Sequence, residues 1–211
     1  MQIAIGLYPG FTALDAIGPY QVLSNVPGAD VVICAEKRGR LDDDNNLLHF
    51  DVDHTFEDTP SPDVLLVPGG FVTRAIACER GAIVDWIVAA HPTTTYTTSV
   101  CTGALLLGAA GLLDGLAATT HWAAYDELAS YGAKPTEQRI VFQGRVVTAA
   151  GVSAGIDLAL TLVDAMNGPE VAQAIQLAIE YDPQPPFDCG SPSKAPAAIV
   201  ELVRGRLSAR E

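Results

Sequence analysis

The chain predicts an α/β fold built on a mostly parallel sheet, and three observations carry that prediction. Residues 2–8, a helical pattern over about 12–23, and residues 30–36 make a βαβ unit, the building block of parallel sheets. Hydrophobic residues make up 49% of the chain and charged residues only 18%, a balance that fits a sheet buried on both faces. A β-rich run over 93–100 feeds straight into Cys101 and an apolar helix opening with Thr102-Gly103, a strand-turn-helix elbow. With 211 residues, one α/β domain is the expected organisation.

The elements follow in order. The first strand (2–8) ends at Pro9-Gly10, and the helix over 12–23 leads to the second strand. Residues 47–54, LLHFDVDH, alternate apolar and polar, as an edge strand or hairpin does, with His49 and His54 at the surface. Residues 63–70, DVLLVPGG, read as a short buried strand ending in a permissive glycine turn, and 75–90 as the helix that crosses back. After Cys101 a helix is expected over 102–113, then ATTHW (118–122) leading into a helix through about Ala129. Residues 139–149 form two strands around Gln143-Gly144, a hairpin signal. Ser153 is placed to cap an amphipathic helix, and Pro169 to open another through Glu180. Residues 181–196 hold five prolines and are expected to run extended along the body or a partner subunit, before a last helix over 197–209.

Cys101 is the candidate reactive centre. At the head of a helix, backbone N–H groups and the helix dipole favour the thiolate, the nucleophilic form, and Gly103 and Ala104 permit tight packing behind the turn. The other cysteines, Cys34, Cys78 and Cys189, are scattered. They make neither a C-x-x-C pair nor a metal-ligand cluster, so free thiols and no metal are expected, with Cys34 and Cys78 as small buried hydrophobes. The net charge of −13 argues against binding nucleic acid. The run Asp42-Asp43-Asp44 reads as a solvated loop, since it lacks the glycine and distal Glu of a calcium loop. No basic flank or cleavage site marks the N-terminus and no apolar run suits a membrane helix, so a cytoplasmic location is expected.

Four separated segments, in this order, resemble the DJ-1/PfpI superfamily: the PGG turn at 68–70, the elbow with TSVCTGALLLGAAGLLDG, ATTHW at 118–122, and SAGIDLALTL at 153–162. Within it, LDAIGPYQVL, TSVCTGALLLGAAGLLDG, ATTHW and the late IEYDPQPPFDCGSP resemble the isonitrile hydratase subgroup. The resemblance implies a flavodoxin-like three-layer fold and one domain over 1–211 with a helical, proline-rich C-terminal extension. It also implies a homodimeric, cofactor-free hydro-lyase that turns R–N≡C and water into an N-substituted formamide. Cys101 matches the nucleophile, Asp15 the acidic residue that approaches it, and Thr102 the residue beside it, where protease-like members carry His. Ile17 and Phe71 border the expected pocket.

The chemistry implied needs a soft nucleophile, a proton shuttle and donors for developing charge. Cys101 attacks the isonitrile carbon as the nitrogen takes a proton, Asp15 relays that proton, Thr102 holds the water that opens the thioimidate, and backbone N–H groups around Gly70 and Thr102 stabilise charge. A carboxyl facing a thiolate is expected to be protonated, because like charges at close range push one pKa upward. From the residues alone, Asp15 reads equally as an ordinary helix N-terminal carboxylate, and Thr102 as a hydroxyl bonding backbone. His121 reads as a general base or, preferably, as a structural histidine bonding backbone. Two other uses of the same elbow stay open: glyoxalase-type chemistry on a small carbonyl, and a cysteine oxidation or ligand sensor.

Overall fold

The computed structural model describes residues 1–209. Its elements are β1 (Gln2–Gly6), α1 (Ala13–Leu23), β2 (Asp30–Ala35), β3 (Gly39–Asp42), β4 (His49–Val52), β5 (His54–Thr55), β6 (Val64–Val67), α2 (Thr73–Glu79), α3 (Ala82–Ala90), β7 (Tyr96–Val100), α4 (Gly103–Ala109), β8 (Ala117–Ala118), α5 (Tyr125–Ser130), β9 (Lys134–Pro135), β10 (Ile140–Gln143), β11 (Val146–Ala149), α6 (Ala154–Asn167), α7 (Pro169–Ala178) and α8 (Ala197–Ser208). Among the described residues, seven strands form the central sheet in the order β10-β11-β7-β6-β1-β2-β5, parallel except for β10. This is the flavodoxin-like three-layer α/β arrangement.

The sheet is buried because helices cover both of its faces. Every residue of β6 is buried, and the threonines of β7 survive there by bonding: Thr98 Oγ1 donates to Leu65 O at 3.0 Å. On one face α1 packs against α6, and glycines set how close they come. A Cβ on Gly155 would lie 3.0 Å from Pro19, and one on Gly18 3.1 Å from Ile156. That packing brings the first turn of α1 and the loop before α6 to the same end of β7.

Strand order then places the site. From β1 the chain moves outward to β2, later returns to the other side of β1 with β6, and continues away through β7 and β11. The loops leaving β1 and β6 therefore diverge, opening a crevice at the carboxyl ends of the strands, the usual ligand position in such sheets.

Several boundaries differ from expectation. The stretch 75–90 is two helices, because Arg80 takes a left-handed conformation (φ 52°) and Gly81 starts α3. Within residues 47–54 the strand is His49–Val52, the second of a β3–β4 hairpin as one of the two readings allowed, and His54 opens β5. The helix after Cys101 stops at Ala109. The Ser153 hydroxyl does not cap α6; it accepts from Arg139 Nη2 at 3.3 Å. Cys34 is buried as expected, but Cys78 is exposed on α2. The acidic run is only partly solvated. Asp43 is buried, and its carboxylate accepts the N–H groups of Leu47 and Leu48, which organises the turn.

Candidate active site

Cys101 sits between β7 and α4 with φ 57°, a left-handed conformation rarely adopted by a non-glycine residue. Backbone bonds hold it there. Its N–H donates to the carbonyls of Ala149 and Ala150, at 3.1 and 3.0 Å, and its carbonyl accepts the Thr120 hydroxyl at 2.8 Å. The sharp turn leaves the sulfur at the crevice, 6% exposed, with the backbone N–H groups of Val152 and Thr102 bonding it.

Asp15, from the first turn of α1, is completely buried beside that sulfur. Its Oδ2 accepts the Gly69 N–H at 2.8 Å, while Oδ1 has no conventional hydrogen-bond partner; the carboxyl's other neighbour is the Cys101 thiol. Burial raises the Asp15 pKa to about 7, against the pull of Gly69 and the thiol. Burial, and then the facing carboxyl, drive the Cys101 thiol well above its ordinary value, and the two N–H groups only partly offset this. The seat at the head of α4 therefore does not make Cys101 a resting thiolate, contrary to the expectation from sequence. Desolvation outweighs the dipole of a seven-residue helix. At rest the pair shares one proton above about pH 7 and holds two below it.

The glycine turn after β6 locks these groups together. Thr102 Oγ1 accepts the Gly70 N–H at 3.0 Å and donates to the Gly70 carbonyl at 3.1 Å. A Cβ on Gly69 would stand 2.7 Å from Thr102 N and 2.8 Å from Asp15 Oδ2, so only glycine fits. One expectation changes here: the Gly70 N–H is already committed to Thr102 Oγ1, and the Thr102 hydroxyl also ties down the turn. The donors that face the sulfur are the backbones of Thr102 and Val152.

A cavity of about 160 Å³ opens over the sulfur, lined by Gly70, Phe71, Thr102, His121, Ala123 and Val152, with Thr12, Asp44, Arg74 and Leu207 completing it. The structure thus brings together Cys101, Asp15, Thr102, Gly70, Phe71 and His121. Ile17 is absent from the lining. Two positions along α1 from Asp15, it faces away when Asp15 faces the sulfur. His121 Nδ1 accepts the Ala123 N–H at 3.3 Å, and burial followed by the Arg74 charge lowers its pKa, so the ring is neutral near pH 7 and caps its own turn. Arg74 donates twice to Glu127, at 3.0 and 2.8 Å.

Val152 is one residue that sequence reasoning missed. It contributes a main-chain N–H from a strained backbone (φ 30°), and nothing in a valine side chain announces that. Among the described residues, no group of three His, Cys, Asp or Glu side chains is placed to hold a metal, and no helix is long and apolar enough to cross a membrane.

This sheet, this elbow and this cysteine-carboxyl pair define a class: the chain belongs to the DJ-1/PfpI family, whose pattern residues 1–165 match. Over 206 residues, 98% of this chain and 90% of the other, it is 43% identical to the isonitrile hydratase of Pseudomonas putida. It superposes on the crystal structure of a ThiJ/PfpI family protein from Pseudomonas syringae with a TM-score of 0.90 at 39% identity, covering 99% of this chain and 89% of that one. It is also 32% identical to the HTH-type transcriptional regulator CdhR of Pseudomonas aeruginosa, over 79% of this chain and 51% of the regulator.

Proposed function

We propose that this protein is an isonitrile hydratase, converting R–N≡C and water into an N-substituted formamide with Cys101 as nucleophile. The observation that carries the reading is the buried Cys101–Asp15 pair opening into a small cavity, in a chain so similar to the Pseudomonas putida enzyme.

The steps balance with these two groups alone. Asp15 takes the thiol proton, the sulfur attacks the terminal carbon, and Asp15 returns the proton to that same carbon, giving the thioimidate R–N=CH–S. The proton goes to carbon and not to nitrogen, the atom expected from sequence, because the attack leaves the lone pair on carbon. Backbone N–H groups of Val152 and Thr102 stabilise the sulfur while it is anionic. Water then adds to the thioimidate carbon as Asp15 accepts one of its protons and nitrogen receives it. The tetrahedral adduct expels the sulfur, the hydroxyl proton returns to the pair, and R–NH–CHO leaves.

The same reading takes the protein to work as one α/β domain extended by its C-terminal segment, in the cytoplasm, without a cofactor and as a homodimer. Light scattering tests the homodimer. The reaction is tested by following formamide release from a panel of alkyl isonitriles, with methylglyoxal in parallel and Cys101→Ala as control. Turnover of isonitriles that vanishes in Cys101→Ala supports the proposal; conversion of methylglyoxal alone overturns it.

A further inference from the structure

Residues 1–165 carry the family match, yet one wall of the cavity comes from beyond them: Leu207, on α8, lines the same space as Cys101. The helix presents one stripe to the body. Val200, Val203 and Leu207 are half-buried while the residues between them are exposed, and with Arg204 they recur at the i, i+3, i+4, i+7 spacing of a single helix face.

That stripe rests on Trp122. With Val200 and Val203 the indole lines a second small cavity beneath the loop at 189–195, and the Arg204 guanidinium carbon lies 5.5 Å from the ring centroid. Trp122 stands between His121 and Ala123, both of which line the cavity over the sulfur. Docking α8 on the indole therefore fixes Leu207 relative to these two lining residues.

We propose that α8 is the specificity wall of this enzyme. Leu207 sets how large an apolar R group reaches Cys101, and the Trp122–Arg204 contact holds the wall at that distance. The site then selects compact R groups. As a statement about R the inference rests on the isonitrile reading; as a statement about access to Cys101 it stands separately. Leu207 is half-exposed on a terminal helix, so shortening it leaves the core untouched.

The test compares wild type, Leu207→Ala, Leu207→Phe and Arg204→Ala in two ways. In the first, kcat/KM is measured for isopropyl isonitrile and for a bulky naphthyl isonitrile. Leu207→Ala is expected to raise the bulky-to-compact ratio about tenfold or more, Leu207→Phe to lower it, and Arg204→Ala to shift it in the direction of Leu207→Ala by less. In the second, the alkylation rate of Cys101 is measured with iodoacetamide and with an N-naphthyl iodoacetamide, a readout that needs no turnover. Alkylation ratios that follow the same order without isonitrile turnover keep the wall and discard the reaction. Ratios that stay within about twofold of wild type in all three variants, whether or not isonitriles are turned over, overturn the wall.

Discussion

Replacing Asp15 by asparagine isolates the energetic consequence of burying a carboxyl beside a thiol. With its pKa raised from 3.8 to about 7, ionising Asp15 costs the native state about 4 kcal/mol more than it costs the unfolded chain. The sign follows from proton binding. Well below the unfolded value of 3.8 the group is neutral in both states and imposes no penalty; as pH rises through it the unfolded chain ionises first, so stability falls until the native carboxyl ionises too, near pH 7. The substituted carboxamide does not titrate, and its oxygen can still accept the Gly69 N–H. From about pH 5.5 to about pH 8, wild type is therefore expected to lose about 2 kcal/mol relative to Asp15→Asn. For a chain of this length that is about 4–8 °C in Tm. Urea denaturation of both proteins at the two pH values measures it. A stability difference that is the same at both would show that Asp15 ionises as freely as in the unfolded chain, and the shared-proton account of the site would be wrong.

The same titration governs turnover: kcat/KM is expected to fall about tenfold per pH unit below about pH 7, where Asp15 is protonated and no base remains for the thiol, and Asp15→Asn should show a low rate without that limb. Thr102→Val strands the buried N–H of Gly70, whose carbonyl keeps its bonds from Thr73, and is expected to cost about 1–3 kcal/mol in urea denaturation, with Thr102→Ser restoring it. Accumulation of a Cys101 thioimidate in Thr102→Val, seen by mass spectrometry, would give the hydroxyl a water-holding role as well. Gly69→Ala drives a methyl against Thr102 N and Asp15 Oδ2 and is expected to lose about 1–3 kcal/mol together with most of the activity. A fully active Gly69→Ala enzyme would mean that the turn yields where the geometry says it is fixed.

What is legible in the chain divides along physical lines. The parallel strands, the elbow at Cys101 and the PGG turn can be read because burial pattern and glycine requirement are local properties of sequence. Motif places Asp15 and Thr102 but not their partners, since which lone pair meets which N–H depends on how α1, the glycine turn and α4 converge. Val152 and Leu207 are hidden for different reasons. One acts through its main chain, and the other lies on a helix far along the chain from Cys101, brought to the cavity only by tertiary packing. Ile17 misleads because motif proximity on a helix is not facial proximity: two residues of separation turns a side chain to the far side.

The occupied N–H groups also decide among uses of the elbow. Addition of sulfur to an aldehyde leaves the negative charge on oxygen and calls for donors aimed at that oxygen. Here the Gly69 N–H is spent on Asp15, the Gly70 N–H on Thr102, and the Val152 and Thr102 N–H groups bond the sulfur itself. Isonitrile addition does not ask for donors at an oxygen. The charge develops on sulfur and then on carbon, where a proton from Asp15 quenches it at once, so a site with its donors on the nucleophile and its acid beside the sulfur matches that reaction.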